Sequence, residues 1–419
     1  MEAGIPRLTC GKGRGMVMGR RKTEIGFGTG KQGNRTEKAA EFFFFASLLL
    51  ELVIVIIDKS DYINPLEGQL FRITFLLAAV KVLLTKYSKR EWLWMCAFGI
   101  LGLVSYKATG RNEILRIVAF VAACKNVDLR KMMSFVFYVT AGGCVLLMVL
   151  SLTGIYGNPG IVTDFGRGVV ETRYCLGLGH PNALHCMFFM LVLLGLYLYG
   201  KKMKVYQYLC VFLLNVAMYL LTDSRTGMAI TAAAILLTAL FRFFPKWGEY
   251  RWVYLCGILL FLACLLLSVA ASKYGLTKPF LKRLDDFLNG RILDLYWGSV
   301  NHEGTVERWS LFSEARNNYY FDMGFVRVFY WYGILPAIVY FAMNLLLIWE
   351  CYKKRDTSGF VMMVVLAVYT VVEAHIISVY IGRNYLLLLF GAYWSDMLHA
   401  GNAENEEYAW GAYRLLKHG

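Results

Sequence analysis

The sequence predicts an all-α, polytopic integral membrane protein with about twelve transmembrane helices and one large extracytoplasmic loop. Three observations predict it. Hydrophobic residues make up 58% of the 419 residues and charged residues only 17%, with a mean hydropathy of +0.49, whereas a soluble domain carries about a quarter charged residues. The apolar residues fall in runs near the roughly 20 needed to cross a hydrocarbon core about 30 Å thick. The Lys and Arg residues sit in short clusters between those runs, on alternate sides, as the positive-inside rule describes.

Spans are expected at about 42–57, 70–85, 92–106, 113–124, 133–153, 182–199, 206–222, 226–244, 252–271, 324–349, 359–378 and 384–399. The fourth is short. Five basic clusters share one face: Lys86 to Arg90, Lys125 with Arg130 and Lys131, Lys201 to Lys204, Arg242 with Lys246 and Arg251, and Lys353 to Arg355. That face is expected to be the cytoplasm, with both termini inside. Residues 1–40 form a basic, Gly-rich segment without an apolar core, read as a disordered cytoplasmic tail; Met16 and Met18 within it are alternative starts. Residues 41–400 form the transmembrane domain, and 401–419 a second cytoplasmic tail.

The net charge of +15 invites a nucleic-acid reading. Its distribution between apolar runs argues instead for a lipid bilayer as partner, with no nucleic acid. Most of the ten cysteines lie inside apolar runs, where cysteine acts as a small hydrophobe. Cys175 alone falls clearly in an outer loop, so no outer disulfide pair is expected. No His/Cys cluster has metal-ligand spacing, and no phosphate-binding Gly-rich loop is present; no metal and no cofactor are expected.

Two longer segments, about 154–181 and 272–323, face outward on this topology. The second carries seven Lys/Arg and seven Asp/Glu, so it lacks the positive-inside bias. Polar residues collect on the same side. Arg173, His180 and Asn182 end the first loop. Asp223-Ser224-Arg225-Thr226-Gly227 forms a tight turn between two spans. Arg327 opens the tenth span, Glu373 and His375 lie in the eleventh, and Arg383 opens the twelfth. Converging arginines suit a phosphate or pyrophosphate, because the guanidinium fork binds such oxygens bidentately. Each also has a bland reading: Arg225 can snorkel to the interface, Arg173 and His180 can be solvated loop residues, Arg327 and Arg383 read first as interfacial anchors, and Glu373 with His375 as a structural pair. Glu51, midway along the first span, reads as the partner of a buried cation.

Several segments resemble bacterial O-antigen and capsular polysaccharide polymerases. The stretch Arg173-Tyr-Cys-Leu-Gly-Leu-Gly-His180-Pro181-Asn182 is similar to their Gly-His-Pro-Asn segment, and Thr222-Asp-Ser224-Arg225-Thr226-Gly227 to their Ser-Arg-Thr-Gly turn. Asn317-Asn318-Tyr319-Tyr320 followed by Trp331-Tyr332-Gly333 resembles the segment entering a late span, with Asn317 where an Asp is usual. Asn289-Gly290-Arg291 resembles a Gly-Arg feature of the large outer loop. The ordered motifs cover about 40–399, and the O-antigen ligase superfamily shares this topology.

The resemblance implies a membrane glycosyltransferase that needs neither nucleotide nor metal. Its donor would be an undecaprenyl-pyrophosphate-linked oligosaccharide, transferred to the growing polysaccharide chain on the outer face of the bacterial cytoplasmic membrane. A flippase and a chain-length regulator are the implied protein partners. The expected catalytic residues are His180, Arg225 and Arg291; substrate contacts are expected from Arg173, Asn182, Ser224, Asn318, Tyr319, Arg327 and His302. The arginines would stabilise charge on the leaving pyrophosphate. His180, with Pro181 in the first turn of the sixth span, would be neutral and would serve as base for the acceptor hydroxyl or as a donor to the glycan, with His302 the next candidate base. The alternatives are a ligase passing a finished glycan to another acceptor, a polysaccharide flippase or transporter, and a peptidoglycan glycosyltransferase. Against transport, the arginines lie at one face and no internal repeat is visible.

Overall fold

The computed structural model describes residues 31–165, 168, 170–297 and 303–398. Within them the chain is mostly helical. Nine helices come first along the chain: α1 (Lys31–Asp58), α2 (Glu67–Leu83), α3 (Lys89–Thr109), α4 (Glu113–Ala123), α5 (Leu129–Leu152), α6 (Pro181–Tyr199), α7 (Val205–Thr222), α8 (Arg225–Phe243) and α9 (Arg251–Tyr274). Short helices α10 (Pro279–Phe287), α11 (Arg291–Trp297) and α12 (Gly324–Tyr332) precede α13 (Ile334–Lys353), α14 (Thr357–Val372) and α15 (Leu386–Leu398). Eight of them, α1, α3, α5 to α9 and α13, are long and apolar enough to cross a membrane, and α14 and α15 are shorter apolar helices.

Helix ends follow local chemistry. Ser88 and Glu91 form a capping box on α3, in which each side chain accepts the other residue's backbone N–H. Asp128 caps α5 and Asp356 caps α14 through side-chain oxygens. Gly110, in the left-handed region, ends α3.

One set of connections gathers at a single end of the bundle. Lys81 reaches the Lys125 carbonyl, Lys125 pairs with Glu91 at 2.7 Å, and Arg130 donates to the Leu198 carbonyl. Arg242 donates to Met203, Arg355 to Glu249, and Lys354 pairs with Asp396 at 2.6 Å. All five basic clusters of the sequence therefore meet there. Exposed Trp92, Trp247 and Trp252 lie beside them, in the manner of an interfacial aromatic belt. The sides of the bundle expose bare Leu, Ile and Phe side chains such as Leu93, Leu220 and Leu266, which suits a lipid-facing surface.

Several expectations are corrected. The helical content is not complete: β1 (Gly160–Asp164) and β2 (Val170–Tyr174) pair antiparallel in the 154–181 segment, with Ile161 opposite Arg173. Helix α1 begins at Lys31, inside the segment read as a tail. The expected span at 324–349 is divided at Gly333, whose φ of 98° puts it in the left-handed region. A Cβ there would stand 2.6 Å from Phe312 Cα, so the close approach of the 311–313 segment requires glycine. The expected span at 359–378 stops at Val372, and Glu373 to Tyr385 run as a non-α segment with one 3-10 turn. Arg327 is no interfacial anchor; it is fully buried in α12. The expected tail 401–419 lies outside the described residues.

The first span does hold a buried ion pair. Glu51 accepts from Arg116 of α4 at 3.0 Å and from Thr74 of α2 at 2.6 Å, while Arg116 also donates to the Val379 carbonyl. Three helices and the 373–385 segment are thus tied at one point.

Candidate functional site

At the end of the bundle opposite the basic connections, a cavity of about 420 Å³ is lined by His180, Asn182, Arg291, Asp322, Glu373 and Arg383, with Lys59, Tyr320 and His375 completing its wall. It draws on the end of α1, the start of α6, the start of α11, the approach to α12 and the segment after α14.

His180 is placed by a tight approach to α6. Leu176, Gly177 and Gly179 all take positive φ, and Gly179 backs onto the Asp61 carboxylate. His180 then adopts an extended conformation as the N-cap of α6, with Pro181 in the first turn. Its Nδ1 accepts the Asn182 backbone N–H at 3.2 Å. Phe165 packs against its ring in a T-shaped arrangement, and the Arg173 guanidinium lies 4.2 Å from the centre of the Phe165 ring. Burial holds the imidazole below its ordinary pKa, with the Arg173 charge adding to the effect.

Arg291 follows Asn289 and Gly290, both in the left-handed region, and opens α11. Asp285 fixes that start by accepting the Ile292 and Leu293 N–H groups. The Arg291 guanidinium donates to Asp322 and stands 3.7 Å from Glu373. Burial pushes the Glu373 carboxyl up to about 7, and the Asp322 charge reinforces the shift. Burial also pushes the neighbouring His375 imidazole down, to about 3.

Arg383 is buried beside Asp58, to which it donates, and reaches Ser378 Oγ at 3.3 Å. Its Nε has no hydrogen-bond partner among the described residues although the side chain lines the cavity. Lys59 stands 3.7 Å from the same Asp58 carboxylate.

The remaining expected site residues divide. Arg173 is buried at the rim, paired with Glu171 and, at 3.3 Å, with Asp223. Ser224 and Arg225 sit in the adjoining α7–α8 turn, outside the cavity wall; Ser224 is buried and Arg225 is exposed. That turn packs so closely that a Cβ on Gly227 would stand 2.5 Å from the ring of His185. His185 itself is held between Thr222 and Asn215. Arg327 does not face the cavity. It donates to the Phe321 and Ile377 carbonyls and lies 3.7 Å from the Tyr320 ring, so it braces two wall segments. Asn318 is exposed away from the cavity, and Tyr319 packs on the apolar core. Tyr320, one residue on, takes the wall position instead. His302 lies outside the described residues. Lys59, Asp58 and Asp322 escaped the sequence reading because each looks like an ordinary charge at a span end or in a loop.

Among the described residues, no group of three or more His, Cys, Asp or Glu side chains is placed to hold a metal ion. No family model, no curated protein and no solved structure matches the chain.

Proposed function

We propose that the chain is a membrane glycosyltransferase that polymerises undecaprenyl-pyrophosphate-linked oligosaccharide repeat units into a cell-surface polysaccharide, capsular, exopolysaccharide or O-antigen. The work is done on the outer face of the bacterial cytoplasmic membrane. Helices α1 to α9 and α13 to α15 make twelve alternating passes in this reading, with both termini inside and α10 to α12 covering the outer end. Placing the five basic clusters in the cytoplasm puts the cavity outside.

The observation that carries the reading is the cavity itself: Lys59, Arg291 and Arg383 line it together with His180 at one bundle end. The reaction expels a lipid pyrophosphate, and charge builds on its oxygens as the sugar–oxygen bond breaks. Preorganised guanidinium and ammonium groups stabilise that charge strongly in a site that excludes water. Arg383 places a guanidinium in the cavity wall, a group that binds such oxygens through its planar fork. Arg225 and Arg173 at the rim attract the anionic donor. The motifs around His180 and Arg225, which resemble those of polysaccharide polymerases, support the same reading.

The test is reconstitution of the purified protein in proteoliposomes supplied with undecaprenyl-pyrophosphate-linked repeat units. A ladder of products differing by one repeat is the expected result. Transfer of a single preassembled glycan would make it a ligase, and donor recovered unchanged would overturn the reading.

A further inference from the structure

We propose that Glu373, facing Asp322 across their shared partner Arg291, removes the proton from the acceptor hydroxyl in the transfer described above. The inference rests on that reading. It goes further by naming the base and by taking that role away from His180.

The first ground is the hydrogen bonding of His180. Its Nδ1 accepts a backbone N–H. A backbone amide is always a donor, so Nδ1 carries the lone pair, and the single proton of the neutral ring sits on Nε2. The nitrogen left free is therefore a donor. His180 is equipped to hydrogen-bond a pyrophosphate or sugar oxygen, and to accept a proton it would first have to give up the cap of α6.

The second ground is geometric. Glu373 stands where α14 ends, its backbone N–H making the last helical bond to Tyr369, and its side chain turns into the cavity with 23% of its surface open. Asp322, from the approach to α12, donates nothing and accepts from the same guanidinium. One cation thus serves two carboxylates. When two like charges share one counter-ion, a proton is held near neutrality, which is the condition a general base needs at its working pH. The groups around Glu373 fit this role. Arg291 on α11, Arg327 on α12 and Lys59 beyond α1 favour the ionised form, and burial and Asp322 oppose it, leaving the carboxyl near 7. From α6 the neighbours are His180, Cys186 and, across on α14, Tyr369; from its own segment they are His375 and Arg383. His375 is too deeply desolvated to hold a proton near neutral pH.

The step balances without a further reactant. The acceptor oxygen forms its bond to the anomeric carbon of the donor sugar. The bond from that carbon to the pyrophosphate oxygen breaks, and its electron pair leaves with the lipid pyrophosphate. The hydroxyl proton passes to the Glu373 carboxylate, which then releases it to solvent.

The experiment is the pH profile of polymerisation in proteoliposomes for wild type, Glu373→Gln and Asp322→Asn. Glu373→Gln, close in shape, is expected to lower kcat about 10²- to 10⁴-fold while leaving the apparent donor KM little changed, which shows a folded, substrate-binding protein. Asp322→Asn removes a negative charge beside Glu373. Whatever its maximal rate, it is expected to move the acid limb of kcat/KM to lower pH, a shift that a merely structural carboxylate would not produce. Glu373→Gln working at the wild-type rate with its acid limb intact would overturn the inference and leave the functional reading standing. An acid limb that stays in place in Asp322→Asn would overturn it as well. A wild-type protein that makes no polymer from this donor would remove both.

Discussion

The guanidinium of Arg383 donates to the carboxylate of Asp58, joining the segment before α15 to the end of α1 across 325 residues of chain. Arg383 also lines the cavity, and its Nε is buried without a hydrogen-bond partner among the described residues. Arg383→Ala is expected to abolish detectable polymerisation, and Arg383→Lys to restore it only in part. An ammonium keeps the charge but loses the planar fork that can hold Asp58 and an anion together. Apparent donor KM and kcat in proteoliposomes decide it, with full activity in Arg383→Ala ruling the residue out of the site.

His180 is expected to tolerate glutamine better than alanine. If Nε2–H is a donor to substrate, His180→Gln supplies another donor at similar reach and keeps much of the rate. His180→Ala loses both that donor and the cap of α6, which is worth about 1 kcal/mol. A glutamine variant reduced by about 10²-fold or more would restore the imidazole as the base.

Arg225 and Arg173 lie near one another, since Asp223, two residues before Arg225, pairs with Arg173. Arg225 is exposed, so its contribution is screened by salt. Arg225→Ala is expected to raise the apparent donor KM most at low ionic strength. Combined with Arg173→Ala, its effect should fall short of the sum, because residues that serve one bound donor do not act independently. Simple additivity at every salt concentration would make them unrelated surface charges.

The Glu51–Arg116 pair is expected to govern stability. Both side chains are almost fully buried, at 1% and 4% exposed. Removing one member of such a pair costs about 3–5 kcal/mol, because an uncompensated charge stays behind. Arg116→Met should therefore lower the unfolding midpoint in detergent sharply, and Glu51→Gln combined with it should recover most of the loss. Equal midpoints for Arg116→Met and wild type would contradict this account of the pair.

These residues also mark how far the sequence is legible. Apolar runs and basic clusters are local, so the helices and the common end of the five basic loops could be read from them directly. A buried cationic partner for Glu51 followed from the cost of an isolated charge in a span, but its identity, 65 residues away, did not. Hydropathy passes through Gly333 and through Glu373 without a mark, because the runs at 324–349 and 359–378 stay apolar; the breaks are set by tertiary contacts, such as Phe312 against Gly333. His180, Asn182 and Arg291 were picked out from motif and position and do share the cavity. Lys59 and Asp322 as wall residues were not, since their meeting depends on how distant segments pack, and Arg383, placed at the outer face, reads first as an interfacial anchor. Arg327 looked like an anchor because nothing nearby in sequence reveals the Phe321 and Ile377 carbonyls that hold it.

The central claim is that the charged cavity transfers glycan from a lipid pyrophosphate. Its most direct measurement is the release of undecaprenyl pyrophosphate by the purified, reconstituted protein, counted against new glycosidic bonds. One pyrophosphate released per bond formed by the wild type, and none by Arg383→Ala, is the predicted result. Bond formation without that release, or release that persists unchanged in Arg383→Ala, would contradict it.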